Sequence, residues 1–134
     1  MSSTPSSARL RVVVAEDSAA LRMCVVDLLG PDVDVTEVDD GPALLAVLER
    51  GHFDLVISDV RMPHVSGIDV LRARRRAGDS TPFVLMSGSP LRRNELAGLS
   101  AAYFLEKPFT NETLAEAVAR ATGREPAMRP GECT

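Results

Sequence analysis

The sequence predicts a doubly wound α/β domain, with five strands alternating with five helices in a parallel sheet covered on both faces. Two observations carry this prediction. Short runs rich in Val, Leu and Ile, too short for helices, recur along the chain and read as buried strands. Between them lie stretches whose apolar residues follow helical spacing, punctuated by Gly and Pro.

In order, Leu10 to Ala15 forms a first buried strand that stops at Glu16-Asp17. Ser18 caps a helix carrying Leu21, Cys24, Val25, Leu28 and Leu29 on one face, and Gly30-Pro31 ends it. Val33 to Val38 alternates apolar and polar residues, which suits a strand nearer the sheet's edge. Gly41-Pro42 opens a second helix, with Pro in its first turn, and Gly51 closes it. Residues 53–59 form the central strand, whose apolar run Leu55-Val56-Ile57 ends at Asp59. Ser66 or Gly67 starts a third helix that turns Ile68, Val70 and Leu71 inward and leaves Arg72, Arg74, Arg75 and Arg76 largely outward. Gly78 stops it. Residues 81–87 form a fourth strand, with Pro82 tolerable at its beginning. Ser89-Pro90 begins a short fourth helix with Leu91, Leu96 and Leu99, interrupted by Gly98. Ala102 to Leu105 is a fifth strand, and Thr110 or Asn111 caps a last helix ended by Gly123.

At 134 residues the chain is one domain, residues 10–122, with room for a core. Residues 1–9, rich in Ser and without an apolar stretch, read as a disordered leader, and 123–134 as a flexible C-terminal tail. A hydrophobic content of 45% with only 4% aromatic residues describes a core built from Leu, Val and Ala. The net charge of −4 gives no reason to expect nucleic acid, and no apolar stretch is long enough to span a bilayer. Cys24 and Cys133 fall in a helix and in the tail, so neither a disulfide framework nor an extracellular setting is expected, and a cytoplasmic location fits. Fourteen of the fifteen basic residues are Arg, and the only Lys is Lys107. A compact, mobile ammonium is thus kept at a single place.

Right-handed crossovers put the strand ends on one side of the sheet. Those ends carry Glu16-Asp17, Asp59, Ser87 and Lys107. With the first and third strands adjacent at a switch point, Asp17 and Asp59 come close. Like charges about 5 Å apart repel by roughly 3 kcal/mol per pair at an effective dielectric near 20. The three acids must therefore protonate, pair with Lys107 or bind a cation. Carboxylates, a backbone carbonyl and water suit Mg²⁺. A cation beside a carboxylate, with an ammonium and a hydroxyl nearby, is equipment for phosphoryl transfer.

The set Glu16-Asp17, Asp59-Val60-Arg61-Met62-Pro63, Ser87-Gly88 and Lys107-Pro108-Phe109 resembles the receiver domain of bacterial response regulators, over about residues 10–122. The resemblance implies a flavodoxin-like sheet of order 2-1-3-4-5 and a stand-alone, chemotaxis-type regulator of two-component signalling. Asp59 would accept phosphate from the phosphohistidine of a sensor histidine kinase or histidine phosphotransfer protein. Asp17, Asp59 and the backbone carbonyl of Arg61 would hold Mg²⁺, with Glu16 acting through water. Ser87 and Lys107 would bind the new phosphoryl group, and Phe104 would occupy the switch position, with Tyr103 facing the other way. The Lys107–Pro108 bond would be cis. The expected output is a changed contact with a downstream protein target by a monomer or weak homodimer, without enzymatic turnover, nucleic acid or membrane.

Taken one by one, these residues also have plainer readings: Asp59 as a loop carboxylate, Ser87 as a strand-end hydroxyl, Phe104 as core. His52 and His64 read as surface residues, and Arg72 to Arg76 as a solvated helix face. Two other function classes remain open. An aspartate-nucleophile phosphohydrolase would want a second acid where Arg61 stands. A non-phosphorylated interaction module on the same fold would typically lose one of the acids, the Lys or the hydroxyl.

Overall fold

The computed structural model describes residues 9–89, 95 and 97–133. The chain runs β1 (Leu10–Ala15), α1 (Ala19–Leu29), β2 (Val33–Val38), α2 (Gly41–Arg50), β3 (Leu55–Asp59), α3 (Gly67–Arg76), β4 (Phe83–Ser87), β5 (Ala102–Glu106), β6 (Phe109–Thr110), α4 (Asn111–Thr122) and β7 (Glu132–Cys133). The first five strands form one parallel sheet of order β2-β1-β3-β4-β5, as expected. The fourth helix expected from the sequence lies largely outside the described residues, as does nearly all of the leader.

Alternation along the strands divides the core into two layers. Val12, Val14, Leu55, Ile57, Val84 and Met86 face α1 and α4, where they meet Val25, Leu29, Leu114 and Val118. Val13, Val56, Phe83 and Leu85 face α2 and α3, where they meet Leu44, Leu48, Ile68 and Leu71. All five residues of β3 and of β4 are buried, which explains their nearly unbroken apolar runs.

Helix starts follow the capping logic of the sequence. Ser18 accepts from the Leu21 N–H, Asp40 from Ala43, Ser66 from Asp69 and Thr110 from Thr113. Two glycines mark close approaches. A Cβ at Gly41 would meet the backbone carbonyl of Val65, and one at Gly67 would meet the carbonyl of Asp59 and, at 2.8 Å, the Ser58 hydroxyl. Gly67 thus lets α3 start directly against the end of β3, with its N–H donating to the Val60 carbonyl at 2.9 Å.

The arginines of α3 depart from the expected solvated face. The Arg75 guanidinium donates to the carbonyls of Asp79, Thr81 and Ser100 at 2.8–3.1 Å and lies over the Phe83 ring. Arg74 pairs with Asp79 at 3.0 Å, and Arg72 donates to the Glu95 carbonyl at 2.9 Å. Arg72 and Arg75 therefore tie loop backbone to α3, and Arg74 holds the Asp79 side chain. Of the four α3 arginines, only Arg76 is exposed. Carbonyl acceptors in loops leave no pattern in the sequence, so this role was not legible there.

The segment after α4 also departs from expectation. It does not hang free. The Arg129 N–H donates to Leu28 O and the Asn111 N–H to Gly131 O, both at 2.9 Å, while β7 pairs antiparallel with β6. Cys133 is buried and disulfide-bonded to Cys24 of α1, 109 residues earlier, with Cα atoms 6.0 Å apart. The sequence reading against a disulfide fails because it took residues 123–134 as a flexible tail, whereas this segment pairs back onto the domain and brings Cys133 to α1.

Replacing Gly67 by Ala is expected to lower stability by about 1–3 kcal/mol, because the methyl group has no room against the Asp59 carbonyl. Urea unfolding of Gly67→Ala against wild type measures it, and an unchanged midpoint would show that β3 and α3 are not held this closely.

Candidate functional site: an acid cluster around Lys107

The last rungs of the sheet fix the site's backbone. The N–H groups of Glu16, Val60 and Lys107 donate to the carbonyls of Val38, Met86 and Ser87 at 3.1, 2.8 and 2.8 Å. Each functional residue therefore leaves the sheet beside a pinned strand end. The Lys107–Pro108 bond is cis.

The carboxylate oxygens of Glu16, Asp17 and Asp59 come within 4.8 Å of one another. Lys107 Nζ lies 3.2 Å from Asp59 Oδ1 and 3.3 Å from Glu16 Oε1, joining strand ends 91 residues apart in sequence. Glu16 is only 1% exposed and Asp59 7%, whereas Asp17 is open to solvent. The other Glu16 oxygen accepts from the Ser18 N–H at 3.0 Å. These groups open onto a cleft of about 510 Å³ that is also lined by Cys24 and Glu132.

One ammonium between two buried acids leaves the cluster negative. Burial pushes the Glu16 carboxyl up to about 7 from an ordinary 4.5. The like charge of Asp59 and the hydrogen bond with Asp17 push the same way, against the Ser18 N–H and Lys107. Three hard oxygen donors with an open side suit Mg²⁺, which keeps part of its hydration. The donor set fits the ion.

Ser87 sits at the end of β4, but its hydroxyl is engaged elsewhere. It donates to Ser89 O at 2.8 Å and accepts from Ser89 N at 3.0 Å. Phe104 on β5 is 38% exposed and faces away from the core, while Tyr103 packs against the α1/α4 layer. The Arg61 side chain is exposed beyond β3, and His52 and His64 are exposed as well.

Three contributors escaped the sequence reading. Arg22 donates to the Glu16 carbonyl at 2.7 Å and pairs with Glu37 at 3.1 Å, steadying the turn that presents Glu16 and Asp17. An Arg on an exposed helix face gives no sign of this. Cys24 lines the cleft from α1, and Glu132 reaches it because the last segment folds back.

With this geometry in hand, comparison with known proteins is decisive. The family described as response regulator receiver domain matches residues 12–119. The chain belongs to the response-regulator receiver family. As a receiver it is 31% identical over 118 residues to chemotaxis protein CheY of Pseudomonas aeruginosa, an alignment covering 81% of this chain and 93% of that one. It is 36% identical over 123 residues to transcriptional regulatory protein FixJ of Bradyrhizobium diazoefficiens, covering 88% of this chain and 60% of that one. Among solved structures, the receiver domain of a sensor histidine kinase from Pseudomonas aeruginosa, with magnesium coordinated in its active site cleft, superposes with a TM-score of 0.73 at 25% identity, covering 87% of this chain and all of that one. The receiver spans about half the length of several curated relatives that it matches, which are transcriptional regulators. Receivers of this kind are signalling domains, not enzymes in the ordinary sense. Among the described residues, no helix is long and apolar enough to cross a membrane.

The raised Glu16 value sets a pH signature. Between about 4.5 and about 7 the folded chain holds a proton that the unfolded chain has released. This contribution to stability is therefore full at low pH and is lost as pH rises through the folded value. In metal-free buffer, Glu16→Gln should gain stability relative to wild type as pH rises through this window, read by urea unfolding across the pH series. A difference that does not vary with pH would show that Glu16 ionises normally.

Proposed function

We propose that this receiver accepts a phosphoryl group on Asp59 from a histidine-phosphorylated protein, a sensor kinase or phosphotransfer protein, and signals through altered protein contacts. One observation carries the reading: Asp59 and Lys107, at the ends of β3 and β5, form a 3.2 Å ion pair in a cleft whose other wall is Glu16 and Asp17.

A carboxylate oxygen of Asp59 attacks phosphorus, the N–P bond to the donor imidazole breaks, and the imidazole leaves with the electron pair. The product is an acyl phosphate on Asp59. Asp17, Asp59 and the Arg61 backbone carbonyl are assigned as direct Mg²⁺ ligands, with Glu16 acting through water. When bound, Mg²⁺ neutralises charge on the transferring group. Lys107 already touches Asp59, so it can pass to a phosphoryl oxygen with little movement. Ser87 must give up its turn with Ser89 to donate to another oxygen. That rearrangement moves the end of β4 beside β5, whose exposed Phe104 is the residue placed to respond. This is a local charge event biasing a two-state element.

The output proposed is contact with a downstream protein, as monomer or weak homodimer. A stand-alone, chemotaxis-type role is supported by the match over 93% of the length of CheY. The net charge of −4 favours a protein target over nucleic acid, and the reactions proposed suit the cytoplasm.

Incubation with acetyl phosphate and Mg²⁺, followed by intact mass, tests the assignment. Wild type should gain one phosphoryl group and Asp59→Asn none. Lys107→Ala should react about 10²-fold more slowly, as expected for loss of one preorganised charge. An undiminished adduct on Asp59→Asn would sink the reading.

A further inference from the structure

The disulfide joins two places that matter to the site. Cys24 lies on α1 and lines the acid cleft, and Cys133 is a buried residue of the last segment. That segment is attached to the site's own loop, since β7 pairs Cys133 with Phe109 and Glu132 with Thr110, only two and three residues beyond Lys107. It also sets Glu132 on the rim of the cleft, with the Glu132 carbonyl 3.4 Å from Cys24 Sγ. Apart from the disulfide, the strap near the cleft is held by this two-residue ladder, the backbone hydrogen bonds to Gly131 and Leu28, and an exposed Arg129–Asp27 pair at 3.8 Å. Such contacts are individually weak. Cys133 and Met128 also pack against the α1/α4 core layer, and the covalent bond is the restraint on this segment that reduction removes.

We propose that the Cys24–Cys133 disulfide is a redox site that straps residues 124–133 across the rim of the acid cleft, and that its reduction opens the cleft to the phosphoryl donor. This inference rests on Asp59 being the acceptor. Closed, the strap keeps Glu132, a further acidic residue, on the rim of a cleft that must admit an anionic phosphoryl group, and it lies along the flank of α1 that carries Cys24. Opened, both the charge and the strap leave.

The reductant is a dithiol. Its thiolate attacks Sγ of Cys24, the half-buried and more accessible sulfur, through the cleft. The Sγ–Sγ bond breaks and Cys133 leaves as a thiolate that takes up a proton. The second thiol of the reductant then displaces Cys24 from the mixed disulfide. The dithiol becomes a cyclic disulfide, and two electrons and two protons reside on the cysteines. A disulfide oxidant reverses the sequence.

The test uses the full chain, oxidised or treated with dithiothreitol, with acetyl phosphate and Mg²⁺, and follows the phosphoryl adduct by intact mass. The reduced form should be phosphorylated about 3–10-fold faster, the size expected from removing one partly screened like charge. Hydrogen exchange of residues 124–133 should rise on reduction. Cys133→Ser should show the fast rate with or without dithiothreitol, and Glu132→Gln with the disulfide intact should recover part of the acceleration. Equal, measurable rates in the two redox states would overturn the strap alone. No adduct in either state would overturn the Asp59 assignment along with it.

Discussion

The Lys107 ammonium, held 3.2 Å from Asp59 and 3.3 Å from Glu16, is the interaction on which the rest of the site depends. Burying two carboxylates at the end of a sheet is tolerable only with charge compensation. One ammonium compensates one of them. The remainder falls on Glu16, which is shifted toward its neutral form, and on whatever cation the open side of Asp17 admits. The same imbalance that costs stability prepares the cleft for a metal ion and for a phosphoryl group, since both need charges already in place.

Holding that triangle is the task of the sheet. Glu16, Asp59 and Lys107 are remote in sequence and meet because β1, β3 and β5 are parallel and end on one side. Their register is fixed by two buried layers that leave no room for a one-residue slip. Gly67 lets α3 begin hard against Asp59, and Arg22 grips the turn after β1. Ser87 differs from these fixed groups. Its hydroxyl is satisfied within its own loop, so recruiting it requires a change of partner.

What was legible in the sequence was what short-range pattern and strand topology control. The apolar runs place β1 to β5, and the residues that stop them are Glu16-Asp17, Asp59, Ser87 and Lys107. The lone lysine proves to be the group that joins the acids. Contacts between side chains and distant backbone were not legible. Arg75 clasps three loop carbonyls although its spacing reads as an exposed face. Cys133 looked like a loose residue in an unfolded tail because nothing local shows that the segment returns to α1. Fold-back across 109 residues is a tertiary event, and with it came Glu132 at the cleft.

Charge imbalance around Lys107 is the central claim, and Mg²⁺ affinity reads it directly. Calorimetric titration of wild type and Lys107→Ala at a pH above the Glu16 value should show Mg²⁺ binding more tightly to the variant. The variant leaves the three acids without their ammonium, even though it is the poorer phosphoryl acceptor. Weaker or unchanged binding in Lys107→Ala would mean that the ammonium does not compensate these carboxylates, and the account of the site would fail.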